Sequence, residues 1–184
     1  MAEITLVRPN LDWLPFYEDA LARGWSPNTD QDVSREQLRQ LRRNPERFLH
    51  NLYNSAMVRL PDGREVPRLP AHDFWISDGE FFGRIGFRFQ RGTEHLPTTA
   101  YGHIGYTVVP WKQRRGYATQ ALRLILPVAR QEGFSRVLIT CDDDNEASRK
   151  VILANGGVPT DPLPHVTRPG HVKLCFWVPT ETKR

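Results

Sequence analysis

The chain of 184 residues is 39% hydrophobic and 10% aromatic, which is enough to bury the core of one domain. It has no apolar run near the roughly 20 residues of a membrane span and no signal-peptide pattern at its start. Its two cysteines do not indicate a disulfide-rich secreted protein. Together these absences predict a cytoplasmic protein.

The net charge of +4 raises the question of nucleic-acid binding. The densest basic group shares its region with an apolar stripe, which is the pattern of a solvated helix face: Arg35, Arg39, Arg42, Arg43 and Arg47. Basic and aromatic residues do not interleave into a platform for bases. We therefore expect neither a nucleic-acid nor a membrane partner.

The N-terminal third predicts one strand and three helices. The strand covers residues 3–8, and the first helix covers 11–23 after a cap at Asn10. Ser34-x-x-Gln37 resembles a capping box and predicts the start of a second helix. Pro45 interrupts that helix and permits a third, to about Val58.

Residues 60–72 carry three prolines and predict a loop. The apolar segments 74–76 and 81–89 flank Ser-Asp-Gly and predict a hairpin. A polar loop over 91–100 follows.

The stretch Ile104–Leu122 predicts a strand, a basic loop and a helix. Alternation of apolar residues indicates the strand, and Pro110 has no N–H for further pairing. An apolar stripe from Ala118 to Ala129 predicts the helix, and Pro127 inside it predicts a bend.

The C-terminal part predicts one more strand–helix unit and a closing pair of strands. The first strand covers 134–140, and Asp144 or Asn145 caps a helix that ends near Gly156. Segments 158–164 and 172–179 predict the last two strands. Mixed strands and helices of this kind predict a mixed α/β sheet.

The segment Gln113-Arg-Arg-Gly-Tyr-Ala118 lies between the predicted strand and its helix. The N-terminus of a helix offers free N–H groups and partial positive charge. Gly116 lets a ligand approach the backbone closely, and Arg114 and Arg115 add full charges. The segment therefore predicts a cradle for a phosphate or pyrophosphate, although a helix start with two solvated arginines fits the same residues.

Two blocks resemble the GNAT superfamily of N-acetyltransferases. Residues 113–118 match the Gln-x-x-Gly-x-Ala loop that binds the acetyl-CoA pyrophosphate, and residues 140–157 are similar to the family's next strand–helix unit. The lead-in 102–106 resembles a subgroup of bacterial acetyltransferases. The resemblance covers about 73–178 well and the N-terminal third in outline.

The resemblance implies a mostly antiparallel sheet of about seven strands with helices on both faces. Two parallel strands, at 103–109 and 135–141, would splay apart to admit acetyl-CoA. It also implies one acetyltransferase-like domain over 1–184, with 1–72 on the acceptor side and 73–178 as the cofactor-binding core. In this arrangement Trp13, Trp25 and Tyr53 are pocket candidates, although core packing explains them as well.

The resemblance also implies a set of cofactor-binding residues. The backbone of Val108 and Val109 would pair with the pantetheine arm, and Asn145 matches a side chain that contacts the same arm. A plain helix cap explains Asn145 as well. The full set is Val108, Val109, Gln113, Arg114, Arg115, Gly116, Tyr117, Ala118, Thr119, Asn145 and Ser148.

The proton-transfer groups are less well marked. The family's usual proton donor is a Tyr, and the matching position here is Ile152, so Ser148 is the nearest substitute. His103 is a candidate general base because its ordinary pKa suits neutral pH. A buried His explains it equally well, and Glu94, His95, Glu80 or a water chain stay open.

The resulting hypothesis is a cytoplasmic N-acetyltransferase in which an amine attacks acetyl-CoA directly within a ternary complex. Its acceptor could be a small amine, an aminoglycan, a polyamine or a peptide N-terminus, and a homodimer stays open. Alternatives are transfer of another acyl group and a non-catalytic CoA-binding or sensing module. His165 and His171 lack a metal-site spacing, and we expect no metal.

Overall fold

A computed structural model describes residues 3–29, 31–60 and 63–181. The first half of the chain contains these elements: β1 (Thr5–Val7), α1 (Leu14–Ala22), α2 (Ser34–Arg43), α3 (Pro45–Asn54), β2 (Met57–Arg59), β3 (Glu65–Pro67), β4 (Ala71–Ser77) and β5 (Phe81–Arg88). The second half contains these: β6 (Ile104–Val108), α4 (Tyr117–Gln131), β7 (Arg136–Asp142), α5 (Glu146–Ala154), β8 (Val158–Pro164) and β9 (Val172–Pro179). No helix in these ranges is long and apolar enough to cross a membrane.

The strands form two larger sheets and one small hairpin. One sheet has the order β1-β4-β5-β6, the other has the order β7-β9-β8, and β2 pairs with β3. The pairs β1–β4, β7–β9 and β8–β9 are antiparallel. This arrangement confirms the predicted mixed α/β class, and the four and three strands of the larger sheets agree with the expected number.

The chain forms two compact units, and the first comprises Met1–Arg68, Asp73–Ile85 and Tyr106–Tyr117. Its core is built around Tyr17, whose ring lies 5.1–6.0 Å from four other aromatic rings: Trp25, Phe48, Trp75 and Phe81. The Tyr17 hydroxyl donates to Gln37 Oε1 at 2.6 Å, which satisfies the one polar atom of the ring.

The second unit comprises Leu69–His72, Gly86–Gly105 and Ala118–Arg184. The predicted stripe of α4 is confirmed for four of its five members, which are buried: Ala121, Leu122, Ile125 and Ala129. The fifth member, Ala118, is half-buried. The helix continues through Pro127 without a break. Pro127 lies on the exposed side of α4, where water can satisfy the carbonyl that loses its N–H partner.

Three predictions in the N-terminal third are wrong. Ser34 is buried in the first turn of α2 and does not cap it; its N–H instead donates to Asp32 Oδ1 at 2.9 Å. Helix α3 ends at Asn54, before Val58. The segment 60–72 is not only a loop, because Glu65–Pro67 pairs with Met57–Arg59 and Pro67 sits at a strand end that tolerates its missing N–H.

Gly83 allows β5 and β6 to approach closely within the first unit. Its φ is +149°, and a Cβ there would lie 2.9 Å from Val108 Cα and closer still to the Thr107 carbonyl oxygen. Neither neighbour is the end of a flexible side chain, so the backbone itself would have to move. The sequence offers only a glycine in a strand as a signal of this contact.

His103, just before β6, forms two hydrogen bonds with Leu138 of β7 within the second unit. Its N–H donates to the Leu138 carbonyl at 2.7 Å, and the Leu138 N–H donates to His103 Nδ1 at 2.9 Å. The residue is 1% exposed, with its ring centroid 5.3 Å from that of Phe134. Burial lowers the pKa of His103 to about 4, so the ring is neutral near pH 7.

We expect Gly83→Ala to lower the free energy of unfolding by at least about 2 kcal/mol, because both the φ and the backbone contact reject a Cβ. Urea denaturation measures the effect. Gly105→Ala on β6 is the matched control, since a Cβ there meets nothing within 4 Å. Equal stabilities of the two variants would contradict the close approach.

We expect the stability of the protein to fall between pH 6.5 and pH 4 because of His103. The unfolded chain takes up a proton near pH 6.5, whereas the folded one resists it down to about pH 4, so the unfolded state binds more protons in this window. The loss approaches about 3 kcal/mol at the lower end. His103→Asn keeps an acceptor for the Leu138 N–H and should show a flatter pH dependence in urea denaturation; identical slopes would contradict the buried neutral ring.

Candidate functional site

The loop between β6 and α4 has an unusual backbone. Pro110–Lys112 form a 3-10 turn, and Arg114 and Gly116 then have φ values of 59° and 78°. Arg114 is the only residue other than glycine with a positive φ in the described part of the chain. This conformation costs roughly 1–2 kcal/mol, and such strain is typical of binding sites.

The same loop leaves backbone donors without partners. The N–H groups of Lys112 and Gln113 donate to the Val109 and Pro110 carbonyls. Within residues 3–29, 31–60 and 63–181, the N–H groups of Arg114, Arg115 and Gly116 have no acceptor. The first turn of α4, which contains Tyr117, Ala118 and Thr119, adds further free N–H groups by helix geometry. Residues 113–116 are exposed, so these donors are available to an anion.

The edge of β6 next to this loop is also available. Val109 is fully buried, and its N–H donates to the Phe82 carbonyl at 2.8 Å. Neighbouring N–H groups of a strand point to opposite edges, so the N–H of Val108 points away from β5. Because β6 is the last strand of its sheet, Val108 lies on a free edge. The Gln113 side chain donates to the Val108 carbonyl at 3.1 Å and ties the loop to this edge.

Asn145 and Ser148 lie at the start of α5 in the second unit. Asn145 caps the helix, and its Oδ1 accepts from the Ser148 N–H at 3.0 Å. The exposed Asn145 amide nitrogen makes no hydrogen bond to a described residue. Burial raises the pKa of the Cys141 thiol, and a hydrogen bond with Ser148 partly offsets this. Ile152, at the position where the resemblance implies a Tyr, is fully buried and has no hydroxyl.

A charged cluster of the second unit joins the end of β7 to the loop before β9. Arg168 donates to Asp144 at 3.2 and 2.6 Å, and His171 Nδ1 lies 2.9 Å from Asp143 Oδ1. Ligand atoms of Asp143, Asp144 and His171 lie within 4.8 Å of one another, close enough for a metal ion. Ion pairs already engage all three groups, and the absence of a metal stays a prediction.

Three of the candidate bases are buried or already paired in the structure. His103 is buried and held by Leu138. Glu94 accepts from the Ser135 N–H and hydroxyl, each at 2.7 Å, and these bonds lower its pKa. Glu80 lies 2.5 Å from Lys112 Nζ, which lowers its pKa as well. His95 is exposed in the 91–100 loop. His95 and a water chain therefore stay open as candidates for the general base.

The pocket candidates of the first unit differ in their surroundings. Trp25 is 4% exposed, and its Nε1 donates to Thr107 Oγ1 at 3.2 Å. Trp13 is half-buried and packs against the core of this unit. Tyr53 is half-buried, and burial raises its pKa. Core packing therefore accounts for Trp25 and Trp13.

The sequence interpretation missed a charged group in the same unit. Asp73 is 8% exposed and accepts from two guanidinium groups, those of Arg68 and Arg84. The available signal was a charged residue inside each of two apolar strands, Asp73 in β4 and Arg84 in β5, because a buried charge requires a partner. The signal does not identify the partners, which are five and eleven residues from Asp73.

Comparisons with known proteins agree with this architecture. Three solved structures show the same fold. The microcin C7 self-immunity acetyltransferase MccE, in complex with acetyl-CoA and AMP, has a TM-score of 0.63 and 18% identity, covering 97% of this chain and 93% of that chain. RimL, a ribosomal L7/L12 α-N-protein acetyltransferase in complex with coenzyme A, has a TM-score of 0.65 and 19% identity, covering 97% of this chain and 95% of that chain. An acetyltransferase from Salmonella typhimurium that modifies the N-terminal serine of L7/L12 has a TM-score of 0.64 and 18% identity, covering 97% of this chain and 96% of that chain.

No curated protein sequence matches the chain. A sequence model described as Acetyltransferase (GNAT) domain matches residues 15–158. Because this match spans well over half of the chain, the protein belongs to the GNAT family of acetyltransferases.

Proposed function

We propose that the protein transfers an acetyl group from acetyl-CoA to an amine, which attacks directly within a ternary complex. The observation that carries this proposal is the exposed loop of residues 113–116, whose free N–H groups adjoin two arginine side chains. Backbone donors at a helix start, with added positive charge, suit a diphosphate. Neither a solvated helix face nor a core loop needs a strained Arg114.

The loop would supply binding energy more than chemistry, because a diphosphate lies far from the reacting carbon of acetyl-CoA. Gly116 would let the phosphates approach the backbone, and Arg114 and Arg115 would attract their charge. The Gln113 side chain would hold the loop against the Val108 carbonyl, as it does in the structure. Together these residues would hold the thioester still relative to the protein.

The free edge of β6 would orient the arm of the cofactor. The Val108 N–H can donate to a carbonyl oxygen of the arm, as in an added strand. Val109 would contribute by packing, because its own N–H is bonded to Phe82. In the second unit, we propose Asn145 as a cofactor-binding residue of its own, because its amide nitrogen remains a donor while its oxygen caps α5.

Proton transfer would depend on few protein groups. Acetyl-CoA supplies the activated acetyl carbon when bound. The amine would lose its proton to water or to the exposed His95, because His103 is buried and Glu94 and Glu80 are paired. Ser148 would donate a hydrogen bond near the sulfur, since Ile152 offers no hydroxyl in its place.

The acceptor that we propose is an amine, as is usual for acetyltransferases of this family. The structural neighbours include a self-immunity enzyme and enzymes that modify a ribosomal protein, and we propose a small-molecule or peptide amine here. We also propose a cytoplasmic protein that acts as one domain, and a homodimer as a candidate assembly. A non-catalytic CoA sensor is the second candidate, and the buried Ile152 is the observation that favours it.

We expect Gly116→Val to raise the Kd for coenzyme A at least tenfold, because a β-branched residue strains a φ of 78° and obstructs the approach of the phosphates. Titration calorimetry measures the affinity. Gly92→Val is the matched control, since Gly92 has a φ of 76° in another loop and should suffer the same strain without losing affinity. Equal losses in both variants would show an effect of strain alone.

The enzyme and the sensor differ in turnover. With acetyl-CoA and a panel of amines, we expect release of free thiol that depends on the amine. Binding of coenzyme A without turnover on any amine would favour the sensor. Failure to bind coenzyme A would contradict both.

A further inference from the structure

A cluster of charged side chains in the first unit carries more positive than negative charge. Arg84 Nη2 donates to Asp73 Oδ1 at 2.7 Å, and Arg68 Nη2 donates to Asp73 Oδ2 at 3.2 Å. Both oxygens of this buried carboxylate are therefore engaged. Two guanidinium groups share one carboxylate, which leaves a surplus of one positive charge.

The guanidinium groups also have hydrogen-bond donors to spare. A guanidinium offers five N–H donors. In the described part of the chain, Arg84 uses two of its nitrogens, for Asp73 and for the Pro27 carbonyl at 3.3 Å. The side chain of Arg84 is 34% exposed, and that of Arg68 is 24% exposed. A ligand can therefore reach donors of both residues.

A buried indole N–H lies on the same strand as Asp73 and can report on changes at this pair. Trp75 is fully buried, and its indole N–H makes no well-directed hydrogen bond to a described residue. Trp75 and Asp73 lie two residues apart on β4 and so share one face of the sheet. The Trp75 N–H is close enough to the Tyr53 hydroxyl to lower its pKa slightly, against the larger effect of burial.

The cluster adjoins the edge of β6 described above. The side chains of Arg84 and Thr107 both contact the segment Trp25–Pro27, so they project on the same face. Gly83, which precedes Arg84, would place a Cβ 2.9 Å from Val108 Cα. The surplus charge therefore lies on the same face of this sheet as Thr107 of β6.

We propose that Arg68 and Arg84, held by Asp73, bind an oxyanion carried by the amine acceptor, either a carboxylate or a phosphate. This inference rests on the proposed acetyl transfer for the identity of the ligand as acceptor. A guanidinium fork matches both oxyanions in geometry and charge.

The cluster can be tested directly by NMR with coenzyme A present to occupy the 113–116 loop. The probes are acetate and inorganic phosphate, which separate the two oxyanions. We expect one of them to cause saturable shifts of the Arg84 Nε–H and Trp75 Nε1–H signals. Arg84→Gln should abolish the shifts, whereas Arg43→Gln, an exposed arginine on α2, should leave them unchanged. Absence of saturable shifts with both anions would overturn the proposal.

Arg68→Gln provides a second variant in case Arg84→Gln disturbs folding. It removes the surplus charge but keeps the 2.7 Å bond between Arg84 and Asp73, and we expect weaker anion binding with unchanged thermal unfolding. Unchanged anion binding in this variant would contradict the role of the surplus charge.

Matched acceptors extend the test to catalysis. Phenylalanine and phenethylamine differ by a carboxylate, and phosphoethanolamine and ethanolamine differ by a phosphate. We expect kcat/KM to be about tenfold or more higher for the anionic member of one pair, mainly through KM, and Arg84→Gln to remove the difference. Equal use of charged and neutral amines would overturn the proposal and leave acetyl transfer intact, whereas loss of coenzyme A binding would overturn acetyl transfer itself.

Discussion

The central constraint on this protein is the set of backbone N–H groups that lose their partners where the chain leaves β6 and enters α4. A strand edge and a helix start each leave donors unsatisfied, and here the two lie within a few residues of each other. The strained Arg114, the glycine at 116 and the Gln113 bond to Val108 all shape this one turn. Such an arrangement is stable without a ligand only because the donors are exposed to water, and it is well suited to an anion that replaces that water.

Other residues of the first unit hold β6 in place from the side opposite its free edge. Gly83 lets β5 approach β6, Val109 is bonded to Phe82, and Trp25 bonds Thr107. The aromatic core around Tyr17 holds these strands and helices α1 to α3 together. On this scaffold the surplus charge of Arg68 and Arg84 is held in place by Asp73, as recognition of a charged acceptor requires.

The sequence predicted those features that depend on neighbours in the chain. The strand at Ile104–Val108, the loop at 113–116 and the cap at Asn145 each follow from a local pattern of a few residues. Predictions failed where a competing neighbour or a distant partner decides the outcome. Ser34 lies inside the first turn of α2, where its N–H donates to Asp32. The pairing of β3 with β2 joins two short segments, one of which is rich in proline and does not read as a strand. Alternation placed His103 on one face of a strand, but burial against Phe134 and the bond to Leu138 depend on chain 30 residues or more away. The Arg68–Asp73–Arg84 cluster was missed for the same reason.

The most direct test of the central claim is a backbone amide NMR titration with coenzyme A. If the loop binds the diphosphate, the largest downfield shifts will occur at the N–H groups of Arg114, Arg115 and Gly116, with smaller shifts along the Val108 edge. Binding of coenzyme A that leaves these three signals in place would contradict the claim, and so would a complete lack of binding.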